Sequence, residues 1–242
     1  MTWEEPARPR AHTRSRLDPG EDTVIRLWLE TPDLANVDTY LKTISSEEAG
    51  RATRIRAEAD RLKWLASRSL VRRVAAQLGL VLPDEVPRLC PACGLRTHGP
   101  PYLGAGLHVS VARRRSLVGV SVCTQPVGLD IEAIGAAIPF SRAVFSEQEL
   151  GQLPDASPEN AVWAWSAKEA VGKLTGFGLR EARMIRVPLR GSEQWSEAVA
   201  ATGAPGVVRR VTVSSPHIVT LAAPEPANVR LEDWSTDFAS GS

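Results

Sequence analysis

The sequence has little net charge of either sign. Its 29 lysines and arginines nearly balance 28 aspartates and glutamates, leaving +1 over 242 residues. No global field therefore draws it to nucleic acid or to an anionic membrane, and any anion site has to be local. It also lacks an apolar run near the ~18 residues of a membrane span. Residues 1–22 contain Arg8, Arg10, Arg14 and Arg16 but no apolar segment of a secretory signal, and Glu4 and Glu5 argue against an organelle transit peptide. Three cysteines are too few for a disulfide scaffold, so a reducing cytoplasm is the expected location. Lysine is scarcest of all: only Lys42, Lys63, Lys168 and Lys173 occur. Where arginine is used almost everywhere else, two lysines in one short segment mark a place where the compact ammonium matters.

What is present is ordinary globular composition, 43% hydrophobic and 24% charged, at a length that suits one large domain or two small ones. Residues 1–22 are rich in proline and arginine and read as a disordered tail. Val24–Glu30 alternates as a half-buried strand does. Ser45-Ser46-Glu47-Glu48 opens a helical pattern that runs to Leu80, with Gly79 as terminator. Residues 83–106 are loop. Leu107–Val111 and Leu117–Val122 read as strands joined by the basic turn Arg113-Arg114-Arg115, and Val127–Ala133 as a further strand. A short helix is expected over Phe140–Leu153. Ser157-Pro158-Glu159 starts another, ending near Thr175 with Gly176 as stop. Arg209–Val213 and His217–Ala222 are the clearest later strands, and the polar end from Leu231 is expected to fray. The order strand, helix, strands occurs once in each half, which suggests two related lobes.

In Val127-Gly128-Leu129-Asp130-Ile131-Glu132 the alternation sends Val127, Leu129 and Ile131 to the core. Asp130 and Glu132 then share the opposite face, ~6–7 Å apart along the strand. Neighbouring carboxylates repel unless a cation sits between them, and a hard cation is the natural occupant. A plain solvent-facing edge is the competing account. On the helix over 158–175, Trp165, Glu169 and Lys173 recur at i, i+4 and i+8, so Glu169 and Lys173 are neighbours. Trp165 on the same stripe argues for burial rather than an ordinary surface pair.

Three segments in order, Val127–Glu132, Phe145-Ser146-Glu147-Gln148-Glu149, and Trp165-Ser166-Ala167-Lys168-Glu169-Ala170-Val171-Gly172-Lys173, resemble the signature set of the 4′-phosphopantetheinyl transferases, most nearly the surfactin-synthetase-type class. The resemblance spans about Ser45 to Ala223. It implies an α+β fold of two similar α/β lobes related by a pseudo-two-fold, with coenzyme A between them. Residues 23–123 are then the N-terminal lobe on the adenosine and 3′-phosphate side, 124–230 the C-terminal lobe with the Mg²⁺ and catalytic motifs, and 231–242 a tail. The implied reaction is that of a holo-acyl-carrier-protein synthase. The arm of coenzyme A passes to a serine of an apo acyl- or peptidyl-carrier protein, and 3′,5′-ADP is released. By the same resemblance, Asp130, Glu132 and Glu169 hold Mg²⁺, Lys173 contacts the transferred phosphate, Lys168 is a motif lysine of less definite role, and Glu149 is a base or positioning acid. Arg51, Lys63 and Ser110 fall at coenzyme A contacts. The residues support a basic helix there, since eight lysines and arginines between Arg51 and Arg73 meet only Glu58 and Asp60.

The pattern is broken at two places. Val111 stands where a histidine is usual after Ser110, and Gly99-Pro100-Pro101 where Gly-Lys-Pro is frequent; the arginines at 113–115 are candidate replacements. Cys90-Pro91-Ala92-Cys93 with His98 has zinc-knuckle spacing but supplies three ligands where a structural zinc wants four. Zinc is therefore the minority reading there, and Cys123 reads as a buried strand residue. His12 and His217 have no motif context. The rivals are a homologue that binds coenzyme A or a carrier without turnover, and a zinc or nucleic-acid interaction module, which leaves the three acids unexplained. A monomer without nucleic-acid or membrane partners is the simplest expectation.

Overall fold

Strand β1, Val24–Glu30, forms over the stretch that its alternation predicts. In the computed structural model, residues 23–104, 106–138, 142–153, 157–180 and 182–232 are described. The tail assigned to 1–22, His12, and the end beyond Glu232 lie outside them.

The expected long helix over 45–80 is two shorter ones, preceded by a further helix that the sequence reading did not place. Helix α1, Val37–Thr43, precedes the serine pair. Helix α2, Ser46–Ala52, opens with a reciprocal capping box between Ser45 and Glu48. The backbone then leaves the helix, and Ala57 is extended before helix α3, Glu58–Gln77. The apolar stripe runs through both pieces, so the sequence showed the buried face but not the bend. Gly79 ends α3 as expected. It is left-handed, its N–H donates to Ala76 O (2.9 Å), and Leu80 N–H donates to Ala75 O (2.8 Å).

Strands β2 (His108–Arg114) and β3 (Leu117–Cys123) form a hairpin. Arg113 and Arg114 belong to β2 itself, and the turn is Arg115-Ser116 alone, with Arg115 left-handed. Strand β4 is Gly128–Ala133. Helix α4 is Glu147–Gln152, shorter than the expected 140–153 because Ser146 and Glu149 cap it there; residues 139–141 lie outside the described segments. Helix α5, Pro158–Thr175, has the predicted limits, with Ser157 accepting from Asn160 N–H and Gly176 left-handed at its end. Strands β5 (Ser196–Val199), β6 (Pro205–Val211), β7 (His217–Ala223) and β8 (Asn228–Glu232) complete the fold.

The two sheets run β2-β3-β1-β8 and β4-β7-β6-β5. Each contains the same unit: a strand, a long helix, and a hairpin whose second strand pairs antiparallel with the first strand. In one half that unit is β1, α3, β2 and β3; in the other it is β4, α5, β6 and β7. This is the mixed α/β, two-lobed architecture the sequence implied. β8 comes from the end of the chain yet pairs parallel with β1, so Leu231 and Glu232 are strand rather than frayed end. A buried Arg26–Glu232 ion pair fastens that edge.

The layers are helix, sheet, sheet, helix. Trp28, Val118, Val120 and Val122 face α1 and α3. Ile25, Leu27, Leu129, Ile131, Val219 and Leu221 fill the space between the sheets. Val162, Trp163, Ala167, Ala170 and Val171 of α5 cover the far face of the second sheet. Because strand faces alternate, Leu129 and Ile131 packing between the sheets sends Asp130 and Glu132 to the α5 side. Among the described residues, no helix is long and apolar enough to cross a membrane.

Candidate active site

Gly128 is what brings α5 down onto β4. A Cβ there would sit 2.0 Å from Ala170 O, so only glycine permits the approach. Three side chains of α5 and one of β2 then meet the two strand acids. Asp130 Oδ1 accepts from Lys173 Nζ (2.7 Å), and Oδ2 accepts from Ser166 Oγ (2.9 Å). Glu132 Oε1 accepts from Trp165 Nε1 (3.0 Å). Arg114 Nε lies 2.8 Å from Glu132 Oε2, but that oxygen has no hydrogen-bond partner of acceptable angle, so the pairing is one of charge rather than direction. Asp130 is 5% and Glu132 6% exposed, which disposes of the solvent-facing edge.

The third acid, Glu169, is half-buried on the same side. Burial first, then the charge of Asp130, push Glu169 above the usual carboxylate range, with Glu132 adding to this and Lys173 opposing it. Glu132 is raised for the same two reasons, against Arg114, Trp165 and Lys173. Three carboxylates thus repel one another in a poorly hydrated place. Their oxygens are hard donors suited to Mg²⁺. They do not, however, converge on one point: Lys173 and Arg114 reach in as the compensating cations.

Beside them opens a cleft of about 530 Å³ between the lobes. Arg68 from α3, Arg88 from the 83–106 loop, Arg113 from β2 and Lys173 from α5 line it with Ser67, Ser110 and Val111, and among the described residues no acid lines it. Burial and the neighbouring Arg88 push Arg68 down to about 10, with Arg113 and Arg51 pressing the same way. Partial desolvation and Arg88 act on Arg113 likewise. The buried Arg68 Nε has no hydrogen-bond partner. Glu48 and Asp60 oppose these shifts only in part, so the cleft wall carries a local excess of positive charge suited to an anion.

The structure divides the other sequence-selected residues. Ser110 lines the cleft, and its Oγ also accepts from Leu129 N–H (2.9 Å), tying β2 to β4. Arg51 is outside the cleft, exposed, and paired with Glu47 (2.5 Å) and Glu85 (3.4 Å); it borders a second hollow that Arg68 and Arg88 also line. Lys63 pairs with Asp60 on its own helix (2.7 Å) and lines neither hollow. Lys168 turns the other way from Lys173. It is fully buried, donates to Ala182 O (3.1 Å) and Ile185 O, and pairs with Glu149 at 3.0 Å. Glu149 also caps α4, so this pair fastens α4 and the 182–185 turn to α5, away from the cleft. Arg88 was missed by sequence reasoning; its only signal was an arginine in a proline-rich loop that also holds Arg96. Cys123 is buried at the end of β3, and His217 is a buried strand residue.

Residues 126–222 match the model of the family described as the 4′-phosphopantetheinyl transferase superfamily. That segment is similar to the superfamily. It contains β4, α5 and the three acids. Over 180 residues the chain is also 25% identical to the 4′-phosphopantetheinyl transferase HetI of Nostoc sp. (strain PCC 7120), covering 70% of this chain and 76% of that protein. The second similarity extends beyond the superfamily segment, and both agree with the motifs that carried the resemblance.

Proposed function

We propose that the protein transfers 4′-phosphopantetheine from coenzyme A to the serine hydroxyl of an apo carrier protein, as an enzyme of the surfactin-synthetase-type class. The observation that carries this reading is Lys173, which lines the anion cleft and at the same time bonds Asp130. One ammonium joins a site for phosphates to a site for a cation, which is what a pyrophosphate held with a divalent metal requires. Both lobes of one chain contribute, which supports a monomeric enzyme.

In this reading Arg68, Arg88 and Arg113 grip the phosphates at the adenosine end, and Lys173 orients the phosphate that is attacked. Val111 and Pro100 in the cleft wall leave out two usual contacts, and Arg113 and Arg88 place charge in that same wall. Asp130, Glu132 and Glu169 would hold Mg²⁺, which when bound neutralises pyrophosphate charge. The upward shifts of Glu132 and Glu169 fit that role, because a cation relieves the repulsion that Asp130 exerts on both. Glu169, held above the usual range and half-exposed, is the carboxylate suited to accept the serine proton. Glu149 is engaged with Lys168 and supports the site from behind. The serine hydroxyl then attacks the β-phosphate, the pyrophosphate bond breaks, and 3′,5′-ADP leaves.

Intact-mass spectrometry of apo carrier proteins from fatty-acid, polyketide and nonribosomal-peptide synthases tests this, each incubated with protein, coenzyme A and Mg²⁺. One added phosphopantetheine arm is the expected result, lost when the metal is chelated. No gain on any carrier despite coenzyme A binding would favour the non-catalytic homologue.

A further inference from the structure

We propose that Cys90, Cys93 and His98 bind one zinc ion, and that this ion holds the 83–106 loop as a wall of the cleft. Among the described residues, these three are the group of cysteine, histidine and acidic side chains whose ligand atoms fall together, all within 4.8 Å. Cys93 Sγ and His98 Nε2 are 3.5 Å apart. A tetrahedral zinc with bonds near 2.3 Å to sulfur and 2.05 Å to nitrogen separates those atoms by about 3.5 Å. The other ring nitrogen, His98 Nδ1, lies 3.3 Å from Thr97 Oγ1. A metal-bound histidine commonly has such an oxygen partner behind it.

The backbone is shaped for the same purpose. Cys90 N–H donates to Leu95 O (2.9 Å) and Gly94 N–H to Cys90 O (2.8 Å), with Gly94 left-handed. This tight turn carries both thiols. After His98 the chain crosses directly over Cys90: a Cβ on Gly99 would lie 2.7 Å from Leu89 O and 2.8 Å from Cys90 Cα. That crossing brings the imidazole back to the thiols. Three protein ligands leave the fourth position to solvent, and the exposure of Cys93 and His98 allows it.

The loop so held reaches both lobes. Arg88, Pro91, Gly99 and Pro100 line the cleft, and Arg88 Nη1 donates to Gly99 O (2.6 Å). Pro91 also sits against Gly176 at the end of α5, where a Cβ would lie 2.5 Å from its Cγ. Zinc therefore fixes a contact between the lobes and sets the position of one cleft arginine. The effect on coenzyme A rests on the function proposed above, but zinc binding does not.

The test measures zinc per chain in the full-length protein by elemental mass spectrometry, and the absorption spectrum after Co²⁺ replacement. One zinc per chain is expected, with thiolate-to-cobalt charge-transfer bands. Cys93→Ser, at an exposed position, loses the metal while circular dichroism is unchanged; Cys123→Ser retains it. Thr97→Val weakens zinc by roughly 10–100-fold. Coenzyme A binding by calorimetry weakens several-fold in Cys93→Ser. No zinc and no thiolate bands, or a Cys90–Cys93 disulfide in the metal-free protein, overturns the proposal. Zinc retained by Cys93→Ser also overturns it. Zinc bound by wild type with unchanged coenzyme A affinity in Cys93→Ser overturns the wall. One zinc per chain in a wild type that binds no coenzyme A supports the site and sinks the transferase reading instead.

Discussion

The two lobes bring opposite charges to adjoining places. The first lines the cleft with Arg68, Arg88 and Arg113, and the second holds Asp130, Glu132 and Glu169 beside it, with Lys173 between. Each cluster is of like sign and unfavourable by itself. Arg68 and Arg113 are pushed toward losing a proton, and Glu132 and Glu169 toward gaining one. Lys173 and Arg114 answer the acids only in part, whereas Lys168 and Glu149 close on each other inside the second lobe. The contrast teaches that the fold tolerates two neighbouring clusters of like charge, which is what the proposed ligand, with phosphates at one end and a cation at the other, would relieve.

The largest effect is expected at the structural pair, the internal control for this comparison. Lys168→Met leaves Glu149 buried without its cation and costs about 3–5 kcal/mol in denaturant unfolding. Adding Glu149→Gln recovers most of that loss. If Lys168→Met is instead stable and fails only in transfer, Lys168 belongs with the site after all.

Asp130→Asn attacks the acid cluster where it meets Lys173. Transfer by intact mass is expected to fall about 100–1,000-fold with the melting temperature nearly unchanged. Arg68→Gln attacks the opposite cluster. It removes a charge-assisted contact of about 1.5–3 kcal/mol, so the KM for coenzyme A rises tenfold or more while kcat changes less. The same variant melts no lower than wild type, because the lost charge was crowded by Arg88 and Arg113.

The smallest effect is one of pH. Glu169 is held above its unfolded value, so the folded state binds its proton more readily. Stability therefore gains as pH falls from neutral into the ordinary carboxylate range, and is lost as pH rises through the folded value. Glu169→Gln is expected to melt higher than wild type at neutral pH and to flatten that dependence, while transfer falls. Equal melting curves for the two proteins across this range would remove the repulsion from the account.

Much of this was legible in the residues. The limits of β1 and α5 follow from alternation and caps: period two over Val24–Glu30, Ser157-Pro158 at one end of α5 and Gly176 at the other. The shared face of Asp130 and Glu132 follows from strand geometry alone. What covered that face did not, because burial depends on Gly128 admitting α5, a contact between elements distant in sequence. Lys168 and Lys173 look alike in the sequence. Five residues turn a helix by roughly 140° net, so one enters the core and the other the cleft.

The sequence by itself determined the two-lobed order of elements, the acids, the lysine-bearing helix and the thiol-bearing loop, because periodicity, caps and spacing are local. The tertiary structure alone decided which charges meet. It placed Arg88 beside Arg68 and Arg113, gave Glu149 to Lys168, carried β8 back to β1, and closed His98 onto two thiols. Each of those joins segments whose separation along the chain carries no information about their distance in space. Packing two sheets and their helices around shared cores is what makes them neighbours.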